Sequence, residues 1–131
     1  MKEHQIEMDG YGLHLTEEGE GAPILFGHSL TFDRTMWAAQ APLISDRFKM
    51  LRLDLHGHGR SGAPECVFTL EEMADDIVVA MDRLGLDRVG YVGHSMGGMV
   101  GMRLALRHPT RIAALALLNT SAEPDPDPMR D

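Results

Sequence analysis

Arg88-Val89-Gly90-Tyr91-Val92-Gly93-His94-Ser95-Met96-Gly97-Gly98-Met99 is the stretch that decides how this chain is read. Within it, Gly93-His94-Ser95-Met96-Gly97 is a G-x-S-x-G motif between the apolar run Arg88 to Val92 and an amphipathic stretch from Met99 to His108. That strand-to-helix setting is the one in which the motif forms a nucleophile elbow. A serine there occupies a sharp turn, and glycine on both flanks lets strand and helix approach without Cβ collisions. Ser95 then stands at a helix N-terminus. The N–H of Met96 has no partner inside that helix, the helix dipole favours an anion beside it, and so it can donate to an oxyanion.

A serine hydroxyl is a poor nucleophile until a histidine takes its proton and an acid orients that histidine. With this elbow the chain order is serine, acid, histidine. The seven histidines stand at positions 4, 14, 28, 56, 58, 94 and 108, so none follows His108 at the end of the elbow helix. The base is therefore expected to be missing, and its loss costs on the order of a million-fold in kcat. Ser95 is expected to be nearly inert in this chain taken alone.

Composition agrees with a partial architecture. The 131 residues suit one domain with a core of its own, yet they are short for a complete enzyme of this kind. A formal net charge of −8, from 20 acidic against 12 basic residues, gives no electrostatic reason to expect nucleic acid or an anionic membrane as partner. One cysteine, Cys66, excludes an intrachain disulfide, and Met1-Lys2-Glu3-His4-Gln5 lacks the apolar core of a signal peptide. No apolar run reaches membrane-spanning length. The expected location is the cytoplasm, and no cofactor is expected.

Working outward, the punctuation marks a βαβ series. His4 to Met8 and Tyr11 to Thr16 alternate across Asp9-Gly10, a hairpin signal. Pro23-Ile24-Leu25-Phe26 is continuously apolar, as a strand covered on both faces should be, and Met50 to Asp54 and Val89 to Val92 are further strands. Asp33 or Thr35 can cap a helix carrying Met36, Trp37 and Leu43, with Pro42 kinking its end. Thr69-Leu70-Glu71-Glu72 is a capping box, followed by apolar residues at helical spacing from Leu70 to Leu84 and by Gly85 as a stop. Asp75 and Asp76 on that helix read as a solvated surface. Gly97, Gly98 and Gly101 cost the elbow helix roughly 1 kcal/mol each, which close packing against a sheet would offset. Ile112 to Leu118 is apolar at every position, as an interior parallel strand reads, yet it is the last element. Pro124-Asp125-Pro126-Asp127-Pro128 cannot continue it, so residues 122–131 are expected as a disordered tail. The sheet therefore looks unfinished after its sixth strand, unless a second chain or self-association supplies the neighbour.

The order of Gly27-His28-Ser29-Leu30, Trp37, Asp54-Leu55-His56-Gly57-His58-Gly59-Arg60-Ser61 and Gly93-His94-Ser95-Met96-Gly97-Gly98 resembles the amino-terminal half of an α/β-hydrolase. The pattern is similar to β-ketoadipate enol-lactonases and related carboxylic-ester hydrolases. The resemblance implies a three-layer fold over residues 1–131, with a mostly parallel sheet and an antiparallel first hairpin. It implies Ser95 as nucleophile, the backbone N–H groups of Met96 and Leu30 as oxyanion hole, and a small ester or lactone as substrate. His28, Ser29, His94 and Trp37 are candidate substrate contacts, although Trp37 reads more as core than as ligand-binding. Where the family's Gly-His-Gly loop usually follows an arginine, this chain has His56. His56 and His58 lack a third ligand at metal-binding spacing, so a tight turn is the simpler account and no metal is expected. Asn119 stands where some members place the acid, and an amide cannot replace a carboxylate there. Two readings follow: a serine hydrolase whose acid and histidine lie outside this chain, or a catalytically inactive binding module.

Overall fold

The computed structural model describes residues 1–122; the rest of the expected tail, from residue 123 onward, lies outside the described residues. The hairpin forms where Asp9-Gly10 places it. Strand β1 (Lys2–Glu7) pairs antiparallel with β2 (Gly12–Glu18), and the N–H of Met8 donates to the carbonyl of Tyr11 at 2.7 Å to close the turn. The remaining strands are β3 (Pro23–Gly27), β4 (Lys49–Leu53), β5 (Val89–His94) and β6 (Ile112–Leu118). They form one six-stranded sheet in the order β1-β2-β4-β3-β5-β6. β2 runs antiparallel to both neighbours, whereas β4, β3, β5 and β6 are mutually parallel. From β3 the chain steps outward to β4, then returns past β3 to β5, and a crevice opens beyond the carboxyl ends of strands at such a reversal.

Alternation along the strands divides the core into two faces. Leu15, Leu25, Leu51, Leu53, Val89 and Tyr91 face α2 (Leu70–Arg83) and α3 (Met96–Arg107), which bring Ile77, Met81, Val100 and Leu104. Phe26 and Met50 face the other way, against Trp37 and Ala41. Helix α2 starts as its capping box dictates, with the N–H of Glu72 donating to Thr69 Oγ1 at 3.1 Å, and Gly85 ends it at φ 72°.

The single helix expected through Met36, Trp37 and Leu43 is two short pieces. A 3-10 turn, Arg34–Trp37, is capped by Asp33, and α1 (Ala41–Ile44) starts afresh with Pro42 in its first turn. Proline lacks the N–H that a helix start does not use, so Pro42 begins a helix here and does not kink the end of one. Leu43 is exposed.

Asp75 and Asp76 also depart from the solvated surface expected of them. Asp75 holds Arg107 through two hydrogen bonds of 2.9 and 2.7 Å and His108 Nε2 at 2.7 Å, tying α2 to the end of α3. Asp76 accepts from His56 Nε2 at 2.9 Å and from the Tyr11 hydroxyl.

β6 is the sheet edge among the described residues, and of its seven residues only Ile112 is buried. Along its parallel register with β5, Leu115 lies opposite Tyr91 and faces α3, while Ala116 lies opposite Val92 on the thinly covered face.

The glycines of α3 answer to close packing. A Cβ on Gly97 would meet the carbonyl oxygen of Gly27 and that of His28, the latter at 2.8 Å, and one on Gly101 would meet the Tyr91 ring at 2.6 Å. Tyr91 is buried beneath the helix, and its hydroxyl donates to the carbonyl of Gly97 at 2.8 Å. Because backbone cannot yield as a side-chain end can, Gly97→Ala is expected to destabilise the fold by about 2 to 3 kcal/mol in urea denaturation. A loss under about 0.5 kcal/mol would mean that helix and strand are not in this contact.

Candidate active site

Three strand ends meet at the reversal of the sheet, and each sends a loop to the same crevice. β5 runs directly into Ser95, which takes φ 53° and ψ −114°, a strained backbone for any residue but glycine. Both sides of that residue are held. Its N–H donates to the carbonyl of Leu118 at 2.9 Å, and its carbonyl accepts from Thr120 Oγ1 at 2.8 Å and from the N–H of Met99 at 3.1 Å. Its hydroxyl is hydrogen-bonded to no described residue and opens on a cleft of about 360 Å³ lined by Ser95, Met99, Asn119, Thr120 and Ser121. Met96 is the first residue of α3, so its N–H lacks an intrahelical acceptor.

β3 supplies the second loop. The N–H of Gly97 donates to the carbonyl of His28 at 3.1 Å, docking this loop on the start of α3. Residues Ser29 to Phe32 then form a turn closed by a Phe32 N–H bond to the Ser29 carbonyl at 3.1 Å, with Thr31 at φ 68°. Leu30, on that turn, has its side chain exposed, and its N–H meets no backbone acceptor among the described residues.

The loop after β4 braces the first two. Asp54, fully buried, accepts from the Arg34 N–H at 2.8 Å, from Arg34 Nη1 at 2.7 Å and from the Arg60 N–H at 3.0 Å. Gly59 takes φ 53° directly over that carboxylate, where a Cβ would lie 2.5 Å from Asp54 Oδ1.

No described histidine is hydrogen-bonded to Ser95 Oγ, because each of the seven is engaged elsewhere. His4 bonds Glu17 at 3.2 Å, His14 bonds Gln5 at 3.2 Å, and His58 Nδ1 donates to the His56 carbonyl at 2.9 Å. His56 and His108 are held by Asp76 and Asp75. His28, expected near substrate, is fully buried: its Nδ1 donates to the Ser29 carbonyl and its Nε2 accepts from the Leu55 N–H, both at 2.8 Å. Those two bonds fix the neutral tautomer, and burial pushes its pKa below the ordinary histidine value. It bridges two loops and offers no nitrogen to a substrate. Trp37 is likewise buried, edge-on to Phe26 with ring centroids 5.2 Å apart, which places it in the core and away from a ligand.

Ser29 and His94 do come together with Ser95. Ser29 Oγ is hydrogen-bonded to His94 Nδ1, and Asn119 Nδ2 donates to His94 Nε2 at 3.1 Å. Sequence reasoning missed Asp54, Asp76 and the role of Asn119. Asp54 left a usable signal, a carboxylate ending an apolar strand just before Gly57-His58-Gly59.

A family model described as alpha/beta hydrolase fold matches residues 22–130. The enol-lactonase from Burkholderia xenovorans LB400 superposes with a TM-score of 0.87 at 39% identity, covering 92% of this chain and 48% of the lactonase. A thermophilic esterase from Thermogutta terrifontis gives a TM-score of 0.88 at 36% identity, covering 98% of this chain and 49% of the esterase. The bifunctional epoxide hydrolase 2 of Sus scrofa is 33% identical over 118 residues, which is 88% of this chain and 21% of that protein. The chain thus spans about half or less of the length of the relatives it matches.

Burial holds His14, His28 and His56 below the ordinary histidine pKa, helped at His14 by Arg34 and opposed at His56 by Asp76. The unfolded chain takes up protons near the ordinary value of 6.5 while the native state resists them, so stability is lost as pH falls below that value. Asp75, drawn down to about 2 by Arg107 and then His108, keeps its contribution above about pH 4 and loses it as the pH falls towards 2. The melting temperature is expected to drop between about pH 7.5 and about pH 5 in scanning calorimetry. A flat profile over that interval would show that these histidines are not buried neutral.

Proposed function

Because the chain belongs to the alpha/beta hydrolase fold family, we propose that it carries the nucleophile half of a serine hydrolase acting on small carboxylic esters or lactones. The observation that carries this reading is Ser95: a strained serine at the head of α3, at the reversal of the sheet, with its hydroxyl free and facing a cleft. Strain of about 1 to 3 kcal/mol at a residue other than glycine persists where surrounding bonds over-determine it, and such residues cluster at active sites. The lactonase and esterase among the similar structures supply the substrate class.

In this reading Ser95 Oγ bonds to the carbonyl carbon, and the carbonyl oxygen gathers negative charge against the N–H groups of Met96 and Leu30. The hydroxyl proton passes to a base from outside the described residues and then to the departing alkoxide; water later reverses the step and frees the acid. No cofactor or metal enters. Among the described residues no helix is long and apolar enough to cross a membrane, and the one cysteine suits the reducing cytoplasm as the working location. The all-apolar edge of β6 calls for cover by a second chain or a second copy.

A second reading, an inactive binding module, is favoured by one observation, the engagement of all seven histidines away from Ser95. Treatment with a fluorophosphonate, followed by intact-mass analysis, separates the two. A slow single adduct, absent in Ser95→Ala, is expected, because oxyanion donors alone retain roughly 10³-fold over water. No adduct on a chain folded by circular dichroism would favour the binding module. Self-association over β6 predicts sedimentation that depends on concentration and is weakened by Leu117→Lys. A monomer throughout would discard a second copy as the cover.

A further inference from the structure

His94 is the x of the G-x-S-x-G motif, and its ring joins three strand ends at once. Its own backbone ends β5, its Nδ1 meets Ser29 Oγ beyond β3, and its Nε2 receives the Asn119 amide beyond β6 at 3.1 Å. With Asn119 donating to Nε2, the ring proton sits on Nδ1 and is given to Ser29 Oγ. Both nitrogens are thereby occupied by protein, which leaves neither for a substrate and neither for the Ser95 hydroxyl.

The turn that His94 grips has few other holds. The Gly97 N–H bond to the His28 carbonyl fixes its entry, and Arg34 on Asp54 fixes its exit. Between those points, the Ser29 carbonyl accepts from His28 Nδ1 at 2.8 Å and the Ser29 N–H meets only Met36 Sδ, a weak acceptor at 3.4 Å, so that the hydroxyl bond to His94 is the one hold on its side chain. The turn also contains Thr31 at φ 68°, a conformation that a β-branched residue adopts only when its surroundings hold it there. Losing the side-chain bond would leave Ser29 held at its carbonyl alone, by His28 and Phe32, so that the strain at Thr31 can relax and Leu30, the next residue, can move with it.

We propose that His94 is a positioning residue: it pins Ser29, and through the Ser29–Phe32 turn it sets the Leu30 N–H against the N-terminus of α3. What the Leu30 N–H does there rests on the hydrolase reading above. That His94 holds the turn rests on the geometry alone. Asn119 serves as the far anchor of the ring, so the segment after β6 is coupled to the oxyanion turn through one imidazole.

Two substitutions divide the ring's bonds. In His94→Asn the side-chain amide nitrogen can take the place of Nδ1 and keep the bond to Ser29, while His94→Gln reaches towards the Nε2 position and loses it. His94→Leu and Ser29→Ala remove the bond from either side. Amide exchange by NMR reads the outcome at Phe32, whose N–H closes the turn, with Leu51 in the central strand as reference. Phe32 exchange is expected at least tenfold faster in His94→Leu, His94→Gln and Ser29→Ala, near native in His94→Asn, and no faster in the His94→Leu/Ser29→Ala double variant than in either single. Leu51 exchange should not change. Unchanged Phe32 exchange in His94→Leu would overturn the proposal, and so would Leu51 quickening in parallel, since that is general loosening of the fold. Where wild-type Ser95 takes the fluorophosphonate, labelling should slow at least tenfold in His94→Leu and recover in His94→Asn. Where it does not, the hydrolase reading fails, and the exchange at Phe32 still decides the role of His94.

Discussion

Gly97 lies so close to the end of β3 that no side chain fits between them, and the rest of the site depends on that contact. It lets the first turn of α3 dock on the carbonyl of His28, which carries the helix N-terminus to the point where the sheet reverses. The short path from β5 into α3 then leaves Ser95 a backbone of φ 53°. That conformation costs about 1 to 3 kcal/mol. The three hydrogen bonds made by its N–H and carbonyl are each worth about 1 kcal/mol net, so together they are enough to hold it. Two of them come from the segment at and beyond the end of β6, from Leu118 and Thr120. The edge strand is therefore part of the elbow's support as well as of the sheet.

Charge and hydrogen bonding do for the loops what close packing does for the helix. A buried carboxylate left unpaired costs several kcal/mol, so Asp54 draws its donors in. Those donors are Arg34, following the turn after β3, and Arg60, within the loop after β4. His28 adds a neutral link between the same two loops through Ser29 and Leu55. The two networks differ in kind: the ionic one gains strength from burial, while the histidine link persists only as long as the ring stays uncharged.

The two faces of the sheet are unequally finished. α2 and α3 cover one face with a continuous core, and the Asp75 pairs to Arg107 and His108 lock the helices to each other. The opposite face is covered around Trp37 and Ala41 but thins towards β5 and β6, where Val92 is half-buried and Ala116 exposed. An apolar strand at a sheet edge presents unpaired backbone N–H and C=O groups to which a further strand can pair.

Much of this architecture was legible in the sequence, because short-range patterns encode short-range geometry. Apolar runs, alternating in the first hairpin and mostly continuous beyond it, located all six strands within two residues, the Thr69 box and Gly85 bounded α2, and the G-x-S-x-G motif located Ser95 and the start of α3. Local reading failed at residues 34–44, where Pro42 is compatible with ending one helix or starting another, and only docking against Phe26 and Met50 selects the second. It failed again for every polar side chain whose partner is distant in the chain. Asp76 meets Tyr11 and His56 across 65 and 20 positions, and Ser29 meets His94 across 65. A histidine reads the same in sequence whether it is buried and neutral like His28 or bridging like His94. Sequence alone determined the elements and the strand-to-helix turn that carries Ser95, since these follow from residue spacing and backbone sterics. Only the tertiary structure decided the partners, because they depend on a strand order that brings the ends of β3, β5 and β6 to one place.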